Sequence, residues 1–141
     1  MHLKSEDMLS EVIKIVSKES GVPIEKLNGT TLIEEDLRIT GDDAWEVIEA
    51  LEVKYHLDLI EFEFLKHFGP EVGWATSKEY GYYPISIDHL VKVVENKKWI
   101  MPEKNEKNYI KQKQIRKRRR IKLVTITCVV FAVVLLIEKY A

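Results

Sequence analysis

Apolar residues recur at intervals of three and four in three stretches of the first hundred residues: 5–20, 42–56 and 86–95. The three stripes are Met8, Leu9, Val12, Ile15 and Val16; Ala44, Val47, Ile48, Leu51 and Tyr55; and Ile87, Leu90, Val91 and Val94. Because an α-helix repeats every 3.6 residues, this pattern predicts three helices that each bury one face. We expect their N-terminal caps at Ser5, at Asp42 or Asp43, and at Ser86, and we expect Gly21 to end the first helix.

Two stretches between these helices carry a weaker pattern. In residues 59–68, Leu59, Phe62, Leu65 and Phe68 fit a short helix, although the first residues also alternate as in a strand. Residues 69–85 combine glycines and prolines with aromatic rings, which predicts a turn-rich insert compatible with a short hairpin. Its aromatic residues are Trp74, Tyr80, Tyr82 and Tyr83. The fold class predicted for the front of the chain is therefore all-α, a small helical bundle with an aromatic insert.

The most apolar part of the chain lies near its C-terminus, where residues 123–137 include no charge. If Lys122 and Lys139 direct their amines toward the headgroups, residues 121–140 reach about 30 Å, the thickness of a hydrocarbon core. A buried strand or core helix is the alternative, but a run that follows five basic residues has no obvious place in a soluble core. The pattern therefore predicts one C-terminal transmembrane helix over 121–140.

Charge divides the chain in the same region. Residues 1–102 carry 20 acidic and 11 basic side chains, whereas residues 103–141 carry 3 acidic and 11 basic ones. We therefore divide the chain into an acidic domain over 1–102, a basic polar linker over 103–120 and the span. The linker is expected to be either disordered or a solvated helix that adds nothing to the core of the domain.

Five consecutive basic residues directly precede the span. They are Arg116, Lys117, Arg118, Arg119 and Arg120. Basic residues that flank a span stay on the cytoplasmic side, so the domain is expected to face the cytoplasm. The cluster could contact nucleic acid, but its position beside the span favours the anionic headgroups of the membrane surface. We expect a membrane partner and no nucleic acid.

Several segments of the domain resemble an acyl carrier protein. They are Ser20-Gly21-Val22 followed by Ile24-Glu25-Lys26-Leu27, the loop over 32–37, the acidic stretch over 46–52, and the stretch over 85–91. The chain is also similar to an uncharacterised bacterial family of acyl-carrier-like proteins, at Gly41-Asp42-Asp43-Ala44 and at His67-Phe68-Gly69-Pro70-Glu71. This resemblance implies the carrier-type four-helix fold, and it implies a bacterial inner membrane as the place of the anchor.

The resemblance also shows where the carrier chemistry is missing. Carrier proteins attach 4′-phosphopantetheine to the serine of an Asp-Ser-Leu triplet, and the aligned triplet here is Thr40-Gly41-Asp42. Gly41 has no hydroxyl for the phosphodiester, so no cofactor is expected. Thr40 stands one residue earlier and is the alternative attachment point.

The resemblance further implies a partner surface on the second helix. In carrier proteins the matching acidic face docks onto basic patches of partner enzymes. Independently of the resemblance, an exposed Trp45 beside Asp42 and Asp43 would be an anchor for a partner. The expected partner-binding residues are Asp42, Asp43, Trp45, Glu46, Glu49 and Glu52, with Glu34, Glu35 and Asp36 on the preceding loop. A solvated helix face without a binding role is the alternative.

No sequence motif points to an enzyme. The residues that could form a metal or acid–base cluster are Asp58, Glu61, Glu63, His67 and Glu71. No second histidine lies one turn from His67, so we expect this group at the surface and predict no metal ligand. His56 and His89 are expected at the surface or hydrogen bonded. Phosphate-loop and nucleophile motifs are missing as well, so no catalytic residue is predicted.

The sequence thus predicts a non-enzymatic, membrane-anchored interaction module with an acyl-carrier-like fold, facing the cytoplasm. The alternative is a working acyl carrier protein that carries its prosthetic group on Thr40 or on another hydroxyl.

Overall fold

The computed structural model describes residues 5–69 and 77–140, which are mostly helical. Its five α-helices are α1 (Ser5–Ser20), α2 (Gly41–Tyr55), α3 (Phe64–His67), α4 (Ile87–Asn96) and α5 (Glu106–Tyr140), and a short 3-10 helix covers Ile24–Lys26. No strand forms in these two ranges. Extended backbone pairs only at two isolated bridges, Leu32 with Ser86 and Asp58 with Lys98. The predicted all-α class is therefore confirmed.

The hydrophobic core lies between α1, α2 and α4. Each of the three predicted stripes faces it: Val12 and Val16 are fully buried on α1, and Ala44 and Val47 are fully buried on α2. On α4, the predicted residues Ile87, Leu90, Val91 and Val94 are all buried. The three stripes therefore meet in one apolar cluster, as their spacing predicts.

Two of the predicted helix ends are confirmed, and a third prediction is wrong. Ser86 caps α4, because its side-chain oxygen accepts a hydrogen bond of 3.2 Å from the His89 amide. Gly21 follows α1 with a φ of +69°, a conformation that glycine adopts without strain. The prediction that Asp42 or Asp43 caps α2 is wrong. The N-cap residue is Thr40, and its side chain makes no cap hydrogen bond.

Within the segment over 59–68, only Phe64–His67 is helical, and these four residues form α3. Phe68 is buried, but Leu65 is 44% exposed, so the predicted apolar stripe holds only in part. A turn closed by the Phe62 amide on the Leu59 carbonyl precedes α3, which breaks the helical phase before Phe64. The predicted cap at Ser5 and the Pro70–Thr76 half of the insert lie outside the described side chains.

The remainder of the insert folds as two consecutive turns. The Tyr80 amide donates to the Ser77 carbonyl, and the Tyr82 amide donates to the Glu79 carbonyl. Gly81 lies within the second turn and has a φ of +97°. The turns bring the rings of Tyr80 and Tyr82 to the side of the domain that meets α5.

Helix α5 runs without interruption for 35 residues from Glu106 to Tyr140. Residues 106–120 of the predicted linker thus form the first part of this helix, in agreement with the helical alternative. It is not separate from the domain, because Asn108 and Gln112 are buried against it. The apolar part of α5 is exposed along its whole length, and the helix is long and apolar enough to cross a membrane.

Candidate functional site

The predicted partner surface is an exposed face of α2. Asp42, Trp45, Glu46, Glu49 and Val53 recur at helical spacing, and all five are exposed in the structure. Asp43 is exposed beside them, whereas Glu52 is only half-exposed at the edge of the face. The helix carries five carboxylates and one lysine, so this face is strongly acidic. Its opposite face forms part of the core.

Trp45 lies within the acidic face and is held from one side. Its ring is 44% exposed, and it contacts Phe62 at 6.2 Å and Phe64 at 5.9 Å between ring centroids. Phe62 in turn contacts Trp99 at 4.6 Å. The indole is therefore supported by a cluster of rings while its other side is open to solvent, an arrangement typical of a partner-binding anchor.

A surface groove of ≈ 540 Å³ lies between α1 and α2, next to the acidic face. Ile15, Ala50 and Val53 supply its apolar surface, and Glu46 and Glu49 line it from α2. Val53 is 68% exposed. The acidic face thus borders an apolar strip that could accept a side chain from a partner.

The loop carboxylates do not all belong to this exposed face. Asp36 is exposed, where it accepts a hydrogen bond from the Leu32 amide. Glu34, in contrast, is buried with only 8% of its surface exposed. Glu35 accepts a hydrogen bond of 2.9 Å from the Asn108 side chain. The expectation that Glu34 lies on the partner surface is therefore wrong, because the loop turns this side chain inward.

Glu34 is held by two donors inside the domain. Its Oε1 accepts hydrogen bonds from the Gly69 amide at 3.0 Å and from the Tyr80 hydroxyl. Its Oε2 has no partner within the described residues. Burial disfavours the charged carboxylate and raises its pKa to about 7, against the opposing effect of the two hydrogen bonds. Burial also raises the pKa of the Tyr80 hydroxyl, which therefore stays protonated and donates.

The position aligned with the carrier serine is held in a conformation that suits glycine. Gly41 begins α2 with a φ of +56°, and its amide donates to the Gly69 carbonyl at 3.2 Å. A side chain at this φ is strained, so the backbone itself favours glycine here. Thr40 is half-exposed, with a hydroxyl that makes no cap hydrogen bond to α2.

His67 differs most from its predicted position. It is 3% exposed rather than at the surface, and its Nδ1 lies 2.8 Å from the Tyr83 carbonyl, to which it donates. Its ring stacks on Phe62 with 5.6 Å between centroids. Burial lowers its pKa to about 4, so the ring is neutral near pH 7. His67 is thus a packed core residue, and the alternation of the segment gave no signal of this.

The other members of the proposed metal cluster do not gather around His67. Asp58, Glu61 and Glu63 are exposed, and Glu71 lies outside the described residues. Within residues 5–69 and 77–140, no group of three histidine, cysteine or acidic side chains is placed to hold a metal ion. His56 is exposed, and the His89 Nε2 lies 2.7 Å from the Ile100 carbonyl, so both agree with their predicted positions.

The start of α5 docks on the insert through polar and aromatic groups. The side-chain amide of Asn108 donates to the Gly81 carbonyl at 2.8 Å, and the Tyr109 ring lies parallel to Tyr82 with 3.9 Å between centroids. Arg116 donates to the Tyr80 carbonyl at 3.1 Å, with its guanidinium 4.7 Å from the centre of the Tyr80 ring. Residues 117–120 of the basic cluster are exposed.

Sequence reasoning missed this docking surface. Asn108, Gln112 and Arg116 are spaced four residues apart and therefore share one face of α5. A polar stripe of this kind is also typical of a solvated helix, so spacing alone does not reveal the docking surface.

Comparison with protein-family models, with curated proteins and with solved structures finds no match for this chain.

Proposed function

We propose that this chain is a non-enzymatic protein-interaction module with an acyl-carrier-like fold, anchored by α5 at the cytoplasmic face of a bacterial inner membrane. The acidic face of α2 would bind a protein that presents a basic surface. The observation that carries this proposal is the exposed Trp45, which lies among Asp42, Glu46 and Glu49 on one helix face.

The acidic face has two properties that favour protein binding. Its carboxylates attract a basic surface over several ångströms and speed the encounter, which makes the association sensitive to salt. Trp45 then supplies apolar contact area at the centre of the face. Because Phe62 and Phe64 already hold the indole, little side-chain freedom is lost when a partner covers it.

The membrane anchor supports the same function by restricting the module to a surface. Eight basic residues lie between Lys111 and Lys122, and only Lys139 follows the apolar run, a distribution typical of a cytoplasmic domain. A partner bound to the same membrane would meet the module at a raised effective concentration. A weak contact through the acidic face would therefore suffice.

The site gives little support for carrier chemistry at the aligned position. Gly41 lacks a hydroxyl, and its positive φ opposes replacement by serine. A second candidate function, a carrier modified at Thr40, is favoured by one observation: the Thr40 hydroxyl is not used to cap α2. The two functions make different predictions for the mass of the protein.

The interaction function can be tested by charge reversal on the full-length chain in membranes. Glu46→Lys combined with Glu49→Lys reverses the centre of the acidic face. Glu61→Lys combined with Glu95→Lys makes the same change in net charge at two exposed positions elsewhere. Proteins cross-linked to each variant in cells would be quantified by mass spectrometry.

We expect specific proteins with basic surfaces to be lost from the first variant and retained by the second, and we expect high salt to weaken their recovery. A Trp45→Ala variant should lose the same proteins without a change in net charge. If both charge-reversal variants recover the same set as the unaltered chain, the acidic face is only a solvated surface and the proposal fails.

A further inference from the structure

We propose that the cleft between the insert and the basic turns of α5 binds the phosphate group of an anionic membrane phospholipid. This cleft has a volume of ≈ 590 Å³. Lys78 lines it from the insert, and Lys113, Arg116, Lys117 and Arg120 line it from α5. The inference rests on the proposed function in one respect, because it takes α5 to cross a membrane.

The spacing of the basic residues directs them to one cleft rather than around the helix. Counted from Tyr109, the lining residues of α5 stand four, seven, eight and eleven positions further on, which places them on one helix face. Lys111, Arg118 and Arg119 do not line the cleft and lie at other positions around α5. Only some of the basic residues of α5 therefore line the cleft.

The walls of the cleft are held in place by contacts that do not need a ligand. Arg116 is fixed by its hydrogen bond to the Tyr80 carbonyl and by the Tyr80 ring. Tyr109 is stacked on Tyr82, and the amine of Lys113 lies 5.7 Å from the centre of the Tyr109 ring. Arg116 and Lys113 are therefore restrained before a ligand binds, which reduces the conformational freedom that these two side chains lose on binding.

The chemistry of the lining matches a phosphate group. Five cationic side chains meet in the cleft, and the other lining residues, Ser77 and Tyr109, carry hydroxyl groups. Among the described residues, the lining carries no carboxylate. Arginine and lysine beside hydroxyl donors are groups that bind phosphate oxygens.

The position of the cleft along α5 identifies the source of the phosphate. Arg116 precedes Ile121, the first residue of the predicted span, by five residues, or roughly 7 Å along the helix. The headgroup layer extends about 5–7 Å beyond the hydrocarbon core on each side. Arg116, Lys117 and Arg120 would therefore lie at the depth of lipid phosphates, and Lys78 of the docked insert lines the same cleft.

The test compares two pairs of substitutions in the full-length chain. Lys78→Gln with Lys117→Gln removes two charges from the cleft, and Lys111→Gln with Arg118→Gln removes two exposed charges outside it. Insertion is scored first, by resistance of each variant to alkaline extraction from membranes. Binding of phosphatidylglycerol and of phosphatidylcholine to the detergent-solubilised chain is then titrated by native mass spectrometry.

We expect the cleft pair to weaken phosphatidylglycerol binding by roughly tenfold or more, and the outside pair to weaken it by less than about threefold. Phosphatidylcholine binding should be weak in all variants. Equal losses in the two pairs from chains that insert normally would overturn the cleft and leave the anchor intact. Displacement of the lipid by millimolar inorganic phosphate would identify a soluble ligand instead. Extraction of the unaltered chain would overturn both the anchor and the cleft.

Discussion

Tyr80 donates its phenolic hydrogen to Oε1 of Glu34 across 46 positions of the chain. The same oxygen accepts from the Gly69 amide, whose own carbonyl accepts from the Gly41 amide at the start of α2. Tyr80 also contacts Arg116 on α5. One buried carboxyl group is therefore linked both to the start of α2 and to α5.

The folding stability should depend on pH through Glu34. Its pKa is about 7 in the folded state and about 4.5 in the unfolded state, so between these values the folded state binds more protons. Stability due to this group is therefore present below pH 4.5 and falls as pH rises to about 7, by at most about 3 kcal/mol.

The variant Glu34→Gln keeps an acceptor for Tyr80 and Gly69 but cannot ionise. We expect its stability relative to the unaltered chain to increase from pH 5 to pH 8, as measured by denaturant unfolding in detergent with tryptophan fluorescence. Glu95→Gln, at an exposed position, serves as the control. Its difference in stability from the unaltered chain should not change over the same pH range. A flat difference for Glu34→Gln as well would show that the carboxyl is not desolvated.

His67 should contribute a dependence of opposite sign. Its pKa is about 4 in the folded state and about 6.5 in the unfolded state, so the unfolded state binds more protons between these values. Stability from the neutral ring is full above pH 6.5 and is lost as pH falls toward 4, by at most about 3 kcal/mol. The two groups oppose each other between pH 4.5 and 6.5, which flattens the profile of the unaltered chain.

Replacing His67 by asparagine keeps a donor toward the Tyr83 carbonyl and removes the titration. We expect His67→Asn to be less stable than the unaltered chain, and we expect this difference in unfolding free energy to shrink as pH falls from 6.5 to 4.5. His56→Asn is the matched control, because His56 is exposed and its φ of +53° is one that asparagine tolerates. A deficit that is independent of pH would contradict a buried, neutral His67.

The contact between the insert and α5 should depend on the absence of a side chain at Gly81. A Cβ atom there would lie 3.0 Å from the Gln112 Cβ and 3.3 Å from the Tyr109 Cα. Gly81→Ala should therefore push α5 from the insert at a cost of about 1–3 kcal/mol. We expect amides of residues 106–116 to exchange hydrogen roughly tenfold faster or more.

Gly21→Ala provides the control for backbone strain. Gly21 also has a positive φ, but no atom lies within 4 Å of the Cβ that alanine would add. This variant should lose stability while hydrogen exchange at 106–116 stays unchanged. If the two variants change that exchange equally, the docking of α5 does not depend on the close approach at Gly81.

The carrier alternative predicts a change in mass that the interaction module does not. Incubation of the full chain with a phosphopantetheinyl transferase and coenzyme A should leave the intact mass unchanged, because Gly41 offers no hydroxyl. Thr40→Val should behave identically, and a known carrier protein would confirm that the enzyme is active. A mass gain that disappears in Thr40→Val would identify Thr40 as the attachment point and overturn the non-carrier function.

Local periodicity predicted the elements that are held by one apolar face. The stripes of α1, α2 and α4 were correct because a repeat of 3.6 residues is a property of each segment alone. The length of the apolar run likewise predicted the end of α5. The exposed residues of α2 followed from the same phase, which is why the face around Trp45 could be located.

The remaining features depend on contacts between distant segments. Glu34 stands in a run of three acidic residues, and only the position of Tyr80 shows that it is the buried one. His67 is buried by rings that follow it or lie across the bundle, such as Tyr83 and Trp99. The turn of α5 that docks on the insert is polar, so hydrophobic periodicity gives no sign of it.

The unbroken course of α5 has a mechanical consequence. The turns of α5 that dock on the insert and the turns of its apolar run belong to one uninterrupted helix. If the apolar run crosses a membrane, a rotation of α5 about its own axis would turn Trp45 about that axis through the same angle. Two copies whose apolar runs packed together in a membrane would therefore hold their Trp45 side chains at a fixed relative orientation.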